Sequence, residues 1–585
     1  MSKDGQAPQR QLFQALSGAD HTSQKLKVEI MLISPFLELA KAAPELPCLY
    51  RSKDDDWIAY SRGEVVEAAM RLCAQWNADG LNVGDRLLIL MENRPEWAVT
   101  AVASCIYGLV SVPAYTTHQD HEIQYLIEKS GAVAGVVSNG PLHDRLSALT
   151  SNTQFNIYVT ADDKSPMFPH VVERDFTVDD QRDPNGFYAL IATSGTNGLP
   201  KLVSLTQSNL QANVTSILKV LEEANLAEPH RFLSFLPLAH AYEHMAGLYL
   251  PLYLGGEIFY CEKLDKLASM MAEVSPTLMT AVPRLYELLH SRITTQIAKE
   301  SPLKRRLFKT TIRLGQKRQL SGFDKFLNTI CERLVRQKVR KRFGGQLRYF
   351  VSGGAALNPK ISEFFQGLGV GILQGYGQTE ASPVISVNRP GAERADTVGP
   401  NLPGVEVRLS EAGELLVRGA NVMTGYWNDP ESTSAALIDG WLHTGDLAEI
   451  DADGHIRIVG RIKDLIVNSG GDNIAPGPIE QDLSLYPEIE QVVVVGDARP
   501  WLSAIICFVD EVEATRHEQA LRDVLKRYNH TKSPVLQIRK GVVMSEPCSM
   551  ENGLLTPTHK IKRLQVIRLY QSQIDALYMT KPAAK

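Results

Sequence analysis

The sequence predicts an α/β fold: a large N-terminal region of several subdomains, doubly wound sheets plus a small β subdomain, then a smaller C-terminal α+β domain. Three observations predict it. The 585 residues call for three or four lobes at about 150 residues each. From Trp57 to Gly140 helix-like segments alternate with short apolar runs, the rhythm of a doubly wound layer. From Val398 to Arg418 the chain alternates with a period of two, as in a small antiparallel subdomain with one wet face.

The first 24 residues have no apolar core of the kind a secretory signal needs, so residues 1–26 are expected as a flexible leader. The doubly wound layer then reads as a helix over Arg62 to Asp79, a strand over Arg86 to Met91 and a helix over Glu96 to Tyr107. The helix Ile123 to Lys129 and the strand Val133 to Val137 follow. The most apolar stretch, Ala98 to Tyr115, is interrupted by Gly108 and Pro113, which favours a buried helix and strand over a membrane span. The net charge of −5 favours no polyanion globally, so nucleic acid is not expected as a partner. Seven scattered cysteines with no C-x-x-C pair indicate neither a disulfide framework nor a zinc site, and fit a reducing cytosol.

The stretch Tyr188 to Leu210 carries the first candidate site. A short apolar run, Tyr188 to Ala192, precedes Thr193, Ser194, Gly195, Thr196, Asn197, Gly198, Leu199, Pro200 and Lys201, and Thr206 and Ser208 offer cap oxygens for a helix starting near Asn209. Glycines let backbone N–H groups approach an anion, hydroxyls add donors and Lys201 adds a positive charge, which together suit a polyphosphate. The pattern is not a Walker loop, which runs G-x-x-x-x-G-K-[ST] straight into its helix. An ordinary Gly/Ser turn is the other reading of these residues.

Between Arg231 and Gly256 an apolar strand leads into a turn carrying His240, Glu243 and His244, whose histidines read either as capping and packed or as site residues. Asp265 to Leu289 reads as a strand and a packed amphipathic helix. The segment 302–342 carries fourteen Lys/Arg against Asp324 and Glu332, interleaved with apolar residues at helical spacing. It reads as a solvated helix pair, or as a basic face for peripheral contact with anionic lipid, each cation then contributing about 1 kcal/mol. Leu347 to Gln374 reads strand, glycine turn, helix, strand, followed by Gly375, Tyr376, Gly377, Gln378, Thr379 and Glu380. A ring between glycines can stack on a base, Thr379 can donate to a phosphate oxygen and Glu380 can hold a hard Mg²⁺ bridging phosphates. Gly-Tyr-Gly is also a common turn. Further on, Asp446 follows Thr-Gly in GWLHTGD, and turns are expected at Asp453-Gly454 and Ser469-Gly470. In the C-terminal lobe, strands Gln491 to Val495 and Ala504 to Asp510 alternate with helices Pro478 to Tyr486 and Val512 to Tyr528.

Together these stretches resemble the adenylate-forming superfamily of acyl-CoA synthetases, luciferases and peptide-synthetase adenylation domains, and within it the long-chain fatty acid-CoA ligases. TSGTNGLPK matches its signature loop, GYGQTE, GWLHTGD and GRIKDLIVNSGGDNIAPGPIE match in the same order, and LLTPTHKIKR stands at the end, so the likeness spans roughly Asp56 to Arg563. The resemblance implies that Thr193, Ser194, Gly195, Thr196, Gly198 and Lys201 hold the ATP phosphates, that Tyr376 stacks on adenine between Gly375 and Gly377, and that Gly353, Gly354 and Ala355 border the purine. It implies Thr379 on the α-phosphate, Glu380 on magnesium, Asp446 and Arg461 on ribose, His240 beside the reacting carboxylate, and Lys560 as the catalytic lysine. It also implies an acyl tunnel lined by Asp265 to Leu289, a hinge at about 461–463 centred on Lys463, and a turn at Gly470 and Gly471 that meets the incoming thiol. The expected domains are 27–461, including the basic segment 302–342, and a mobile 462–585.

The activity implied is ATP-dependent conversion of a fatty acid to acyl-AMP, then transfer to coenzyme A, in a cytoplasmic protein touching the inner face of a membrane if 302–342 docks there. Asn197, Leu202 and Gln207 depart from the family pattern. They keep two alternatives open: an acyl-AMP ligase loading a carrier protein, and a nucleotide- or acyl-binding module without turnover. Nothing in the sequence sets an oligomeric state.

Overall fold

The computed structural model describes residues 32–53, 56–138, 140–160, 183, 185–193, 200–262, 264–317, 319–509, 512–556 and 560–579. The expected leader at 1–26 lies outside them. The fold is the α/β arrangement expected, with two large sheets, a smaller antiparallel sheet and a C-terminal α+β lobe.

The first sheet has seven strands in the order Gly425–Tyr426, Lys201–Thr206, Phe187–Thr193, Val110–Ala114, Arg86–Leu90, Ala132–Val137 and Asn156–Val159. Its strands from Arg86 to Val159 pair in parallel, and Phe187–Thr193 turns back antiparallel onto Lys201–Thr206. The second sheet has eight strands, from Val384–Val387 through Gly371–Gly377, Tyr349–Ser352, Leu278–Ala281, Arg231–Ser234 and Glu257–Tyr260 to Pro47–Lys53 and Asp56–Ser61. The helix Pro95–Tyr107 has every residue buried and ends at Gly108 in a left-handed conformation, which is why its all-round apolar character reads as core. Among the described residues no helix is long and apolar enough to cross a membrane. All seven cysteines are free and buried.

One sequence expectation and one alternative reading change at this level. Lys201 is expected at the end of a loop, yet Lys201–Thr206 is a strand in register with Thr193↔Lys201. The helix after it, Gln207–Glu223, is capped reciprocally by Thr206 and Asn209. Gly375, Tyr376 and Gly377 finish the strand Gly371–Gly377, antiparallel to Val384–Val387, so the alternative of a plain turn does not hold. A Cβ on Gly377 would meet the Pro383 carbonyl at 1.9 Å, so only glycine fits there.

The third sheet is antiparallel and holds Val405–Leu409, Glu414–Gly419, Trp441–Ile450 and Ile456–Arg461. After a short turn, Ile462–Asp464, comes the hairpin Ile466–Val467 with Asn473–Ile474. A three-stranded sheet, Ile489–Val495, Leu502–Phe508 and Ile538–Val543, packs with the helices Pro476–Leu483 and His517–Asn529 around its own apolar cluster.

Candidate active site

Three sheets deliver the site residues to one region. Tyr376, at the end of the second sheet, donates its hydroxyl to Asp446 Oδ2 at 2.5 Å, and Arg461 Nε donates to Asp446 Oδ1 at 2.9 Å. Asp446 is 2 % exposed, so its carboxylate is held in a fixed orientation, each oxygen accepting one bond with capacity for another. Burial, with the Asp446 charge adding to it, drives the Tyr376 hydroxyl well above its ordinary range and keeps it a donor. Burial pulls the Arg461 guanidinium down, but Asp446, Tyr376 and Asp464 more than offset this, so it holds its proton more firmly than usual.

Lys560 stands at a pinch where Leu555 and Ile561 bridge, its amide donating to Thr556 Oγ1 at 3.0 Å. Burial lowers its ammonium to about 8, with Arg461 adding and Asp446 opposing. The same ammonium adds to the lowering of His240, so a residue of the C-terminal lobe lies within electrostatic reach of Asp446, Arg461 and His240. The lobes also touch where Asn358 Nδ2 donates to the Gln481 carbonyl at 3.1 Å and Gln481 Nε2 donates to the Ala356 carbonyl at 3.2 Å.

His240 caps the short helix Ala241–Glu243, its Nδ1 accepting from the Tyr242 amide at 3.3 Å. Burial, with Lys560 adding, lowers it to about 4. The ring is therefore neutral near pH 7, and with Nδ1 accepting, the hydrogen sits on Nε2. His244 differs: Nδ1 donates to the Leu238 carbonyl at 3.1 Å and Nε2 pairs with the Tyr188 hydroxyl, so it is a satisfied core residue. The Tyr242 ring packs so closely on the turn after Tyr349–Ser352 that a Cβ on Gly353 would lie 3.0 Å from it. This brings Gly353, Gly354 and Ala355 beside the His240 segment.

Sequence reasoning missed two residues that hold the site together. Lys201 Nζ lies 4.8 Å over the Tyr426 ring, whose hydroxyl donates to Glu380 Oε1 at 2.9 Å. Tyr426 thus joins the cation of the hairpin to the carboxylate after Thr379, which is itself buried. No local pattern marks Tyr426, because the pairing of Gly425–Tyr426 with the distant Val203 and Ser204 puts it there. Glu243 is fully buried, accepting from Ser234 Oγ at 2.7 Å and Thr280 Oγ1 at 2.8 Å. Burial raises it to about 7, the two hydroxyls opposing.

Not every expected residue converges. Ser194, Gly195, Thr196 and Gly198, with Asn197, lie outside the described residues. Gly470 and Gly471 sit on an exposed turn closed by Asn468, whose Oδ1 accepts from the Gly470 and Asp472 amides at 2.9 Å each. Among the described contacts none joins that turn to Asp446 or Lys560. Lys463 is exposed in the turn Ile462–Asp464. The departures Leu202 and Gln207 are structural: Leu202 is buried in its strand, and Gln207 Oε1 accepts from the Leu32 amide at 3.0 Å. Among the described residues no cluster of three or more His, Cys, Asp or Glu could cage a metal. A single carboxylate, Glu380, linked through Tyr426 to Lys201, fits an ion such as Mg²⁺ that is held mainly by substrate phosphates.

Comparison with known proteins shows the family. The family described as AMP-binding enzyme matches residues 36–427, and its C-terminal domain matches 463–582. The long-chain-fatty-acid–CoA ligase FadD15 of Mycobacterium tuberculosis is 31% identical over 85% of this chain and 89% of its own. The peroxisomal long chain acyl-CoA synthetase 7 of Arabidopsis thaliana is 30% identical over 89% of this chain and 81% of its own. Among solved structures, a benzoate CoA ligase from Burkholderia xenovorans superposes with a TM-score of 0.72 at 21% identity, covering 92% of this chain and 99% of that one. At that identity it speaks for the fold.

Proposed function

The chain belongs to the AMP-binding enzyme family, and from that premise we propose that it activates a long-chain fatty acid with ATP and transfers the acyl group to coenzyme A. The observation that supports this reading is the hydrogen-bonded group of Tyr376, Asp446 and Arg461, with Lys560 within electrostatic reach of Asp446, Arg461 and His240.

A carboxylate is a poor acyl donor because its oxygen leaves too reluctantly, and joining it to AMP supplies a better leaving group. In the first step a carboxylate oxygen bonds to the α-phosphorus of ATP as the bond to pyrophosphate breaks. Lys560, cationic below about pH 8, faces the charge that develops, Thr379 donates to an α-phosphate oxygen, and His240 donates through Nε2 to the acid. Lys201 holds the outer phosphates, Asp446 and Arg461 take the ribose, and Tyr376, its hydroxyl fixed, offers its ring to adenine. Such catalysis rests on position and electrostatics. Glu380 would hold Mg²⁺, which when bound neutralises phosphate charge. In the second step the thiol sulfur bonds to the acyl carbon, AMP leaves, and the thiol proton goes to solvent. For this the lobe 462–585 would turn about Lys463, withdrawing Lys560 and bringing the Gly470–Gly471 turn forward.

Buried free cysteines are in keeping with a reducing compartment, the cytoplasm being the setting we infer, with peripheral membrane contact through 302–342. The test is product analysis with ATP, Mg²⁺, CoA and a ladder of fatty acids. Acyl-CoA and AMP in equal amounts are expected. Acyl-AMP that persists until a carrier protein is added would assign the acceptor differently, and ADP as product would refute the reading.

A further inference from the structure

We propose that Gln481 and Leu485 are positioning residues for Lys560: they clasp the C-terminal lobe to the large region, and Glu480 and Arg563 carry that hold to the lysine. The inference deepens the proposed function, on which it rests, by naming what sets the lysine in place for the first half-reaction.

The clasp has a polar pair, an apolar contact and a cation. Gln481 Nε2 donates to the Ala356 carbonyl at 3.2 Å, and the Gln481 carbonyl accepts from Asn358 Nδ2 at 3.1 Å. Asn358 is fixed at its other end, where Oδ1 caps the helix Pro359–Gly367 by accepting from the Lys360 amide at 3.0 Å. Four residues on from Gln481, Leu485 packs against the apolar cluster of the large region that includes Tyr286, Leu357 and Ile361. Arg284 reaches across from the large region, its Nη1 donating to the Glu490 carbonyl at 3.3 Å.

Both sides of the clasp are tied to the site. In the large region, Tyr286, two residues after Arg284, and Tyr242, two after His240, donate to the same Val351 carbonyl at 2.9 Å each. Ala356 directly follows the turn at Gly353 on which the Tyr242 ring packs. In the lobe, Glu480 stands next to Gln481 on the helix Pro476–Leu483. Its Oε1 accepts from the Val494 amide at 2.7 Å, and Arg563 Nη2 lies 2.5 Å from each of its oxygens. Arg563 Nη1 donates to the Val494 carbonyl at 2.8 Å. A charge-assisted pair of this kind is short and strong. Arg563 follows Lys560 by three residues, and the Lys562 amide on the Leu554 carbonyl and the Thr556 amide on the Lys560 carbonyl, both at 2.8 Å, pin that interval. The path from Gln481 to Lys560 thus runs through hydrogen-bonded backbone and one charged pair. In the proposed mechanism, rotation about Lys463 would leave Ala356, Asn358 and Arg284 behind, so the clasp serves the first half-reaction alone.

The test uses Q481E, which keeps the shape but replaces the donor with an oxygen facing the Ala356 carbonyl, together with L485A. The pair is expected to lower acid-dependent pyrophosphate exchange at least about tenfold, the scale of one lost hydrogen bond and one lost apolar contact. Conversion of supplied acyl-adenylate to thioester is expected to be unchanged or faster, a split that general destabilisation would not give. Lobe position is read separately. All seven native cysteines are buried, so dyes placed at the exposed Lys299 and Glu518 through K299C and E518C report the distance between lobes by energy transfer. Q481E with L485A, and R284A alone, are expected to shift the distance distribution away from the parent's. Equal loss of both half-reactions, or an unshifted distribution, overturns the proposal. Shifted distances in a chain whose parent shows no exchange would uphold the clasp and refute the function it serves.

Discussion

Arg461 and Asp446 face each other in register across the antiparallel pair Trp441–Ile450 and Ile456–Arg461, joined at 2.9 Å. The residue that closes the large region is thereby tied to the first residue before the turn Ile462–Asp464 that leads into the C-terminal lobe. On the proposed reading, nucleotide binding and the position of that lobe share one carboxylate. Asp446→Ala is expected to raise the KM for ATP by roughly ten- to 100-fold, the range for losing hydrogen bonds to a charged group, with a smaller change in KM for the acid. Steady-state kinetics with each substrate varied checks this, and equal changes in both would indicate general disruption.

In the proposed mechanism Lys560 serves the first half-reaction and not the second. Lys560→Ala is expected to abolish acyl-AMP formation while supplied acyl-adenylate is still converted to thioester. Because its ammonium is lowered to about 8, the acid-activating rate should fall as pH rises through about 8, where the cation is lost. Lys560→Arg, which keeps its charge, should be slower at neutral pH but lack that decline. A pH profile of the first half-reaction unchanged by the arginine would assign the decline to another group.

Lys463→Pro should give the opposite split, sparing adenylation and blocking thioester formation, since it stiffens the exposed turn about which the lobe would rotate. Single-turnover assays of each half-reaction measure it. Intact thioester formation would show that rotation at this residue is not needed.

Tyr426→Phe removes the hydroxyl that fixes Glu380 but keeps the ring under Lys201. The Mg²⁺ concentration for half-maximal activity is expected to rise several-fold, as one hydrogen bond to a charged group is lost, with KM for the acid unchanged. A magnesium titration decides it, and no shift would separate Glu380 from the metal.

Glu243 titrates in the fold at about 7 because burial outweighs its two hydroxyl donors. Below its unfolded value, about 4.3, both states hold the proton and it costs nothing. Between there and about 7 only the unfolded state releases the proton, so stability falls as pH rises, by on the order of 4 kcal/mol in all. Glu243→Gln should flatten that stretch and melt higher than the parent above about pH 7. Parallel melting curves across this window would mean that Glu243 does not titrate there.

Much of this fold was legible because periodicity is local. The helix Arg62–Ala78 and the strand Arg86–Leu90 lie within a residue of where their patterns put them. Asp446, Arg461 and Tyr376 came from motif likeness, and the structure brings them into one hydrogen-bonded group. What stayed hidden depends on pairing between distant segments. Lys201–Thr206 shows as a strand only once its partner Phe187–Thr193 is beside it. Tyr426 reaches Glu380 only through a two-residue strand added to that hairpin. Glu243 gave no signal, since a glutamate in a turn ordinarily faces water and only the convergence of Ser234 and Thr280 lets it be buried.

The central claim is that one cleft, completed by Lys560, joins an acid to AMP. Acid-dependent exchange of labelled pyrophosphate into ATP, without CoA, measures that step directly. The account predicts exchange that requires Mg²⁺ and a fatty acid and disappears in Lys560→Ala; exchange absent from the parent protein, or undiminished in that variant, would contradict it.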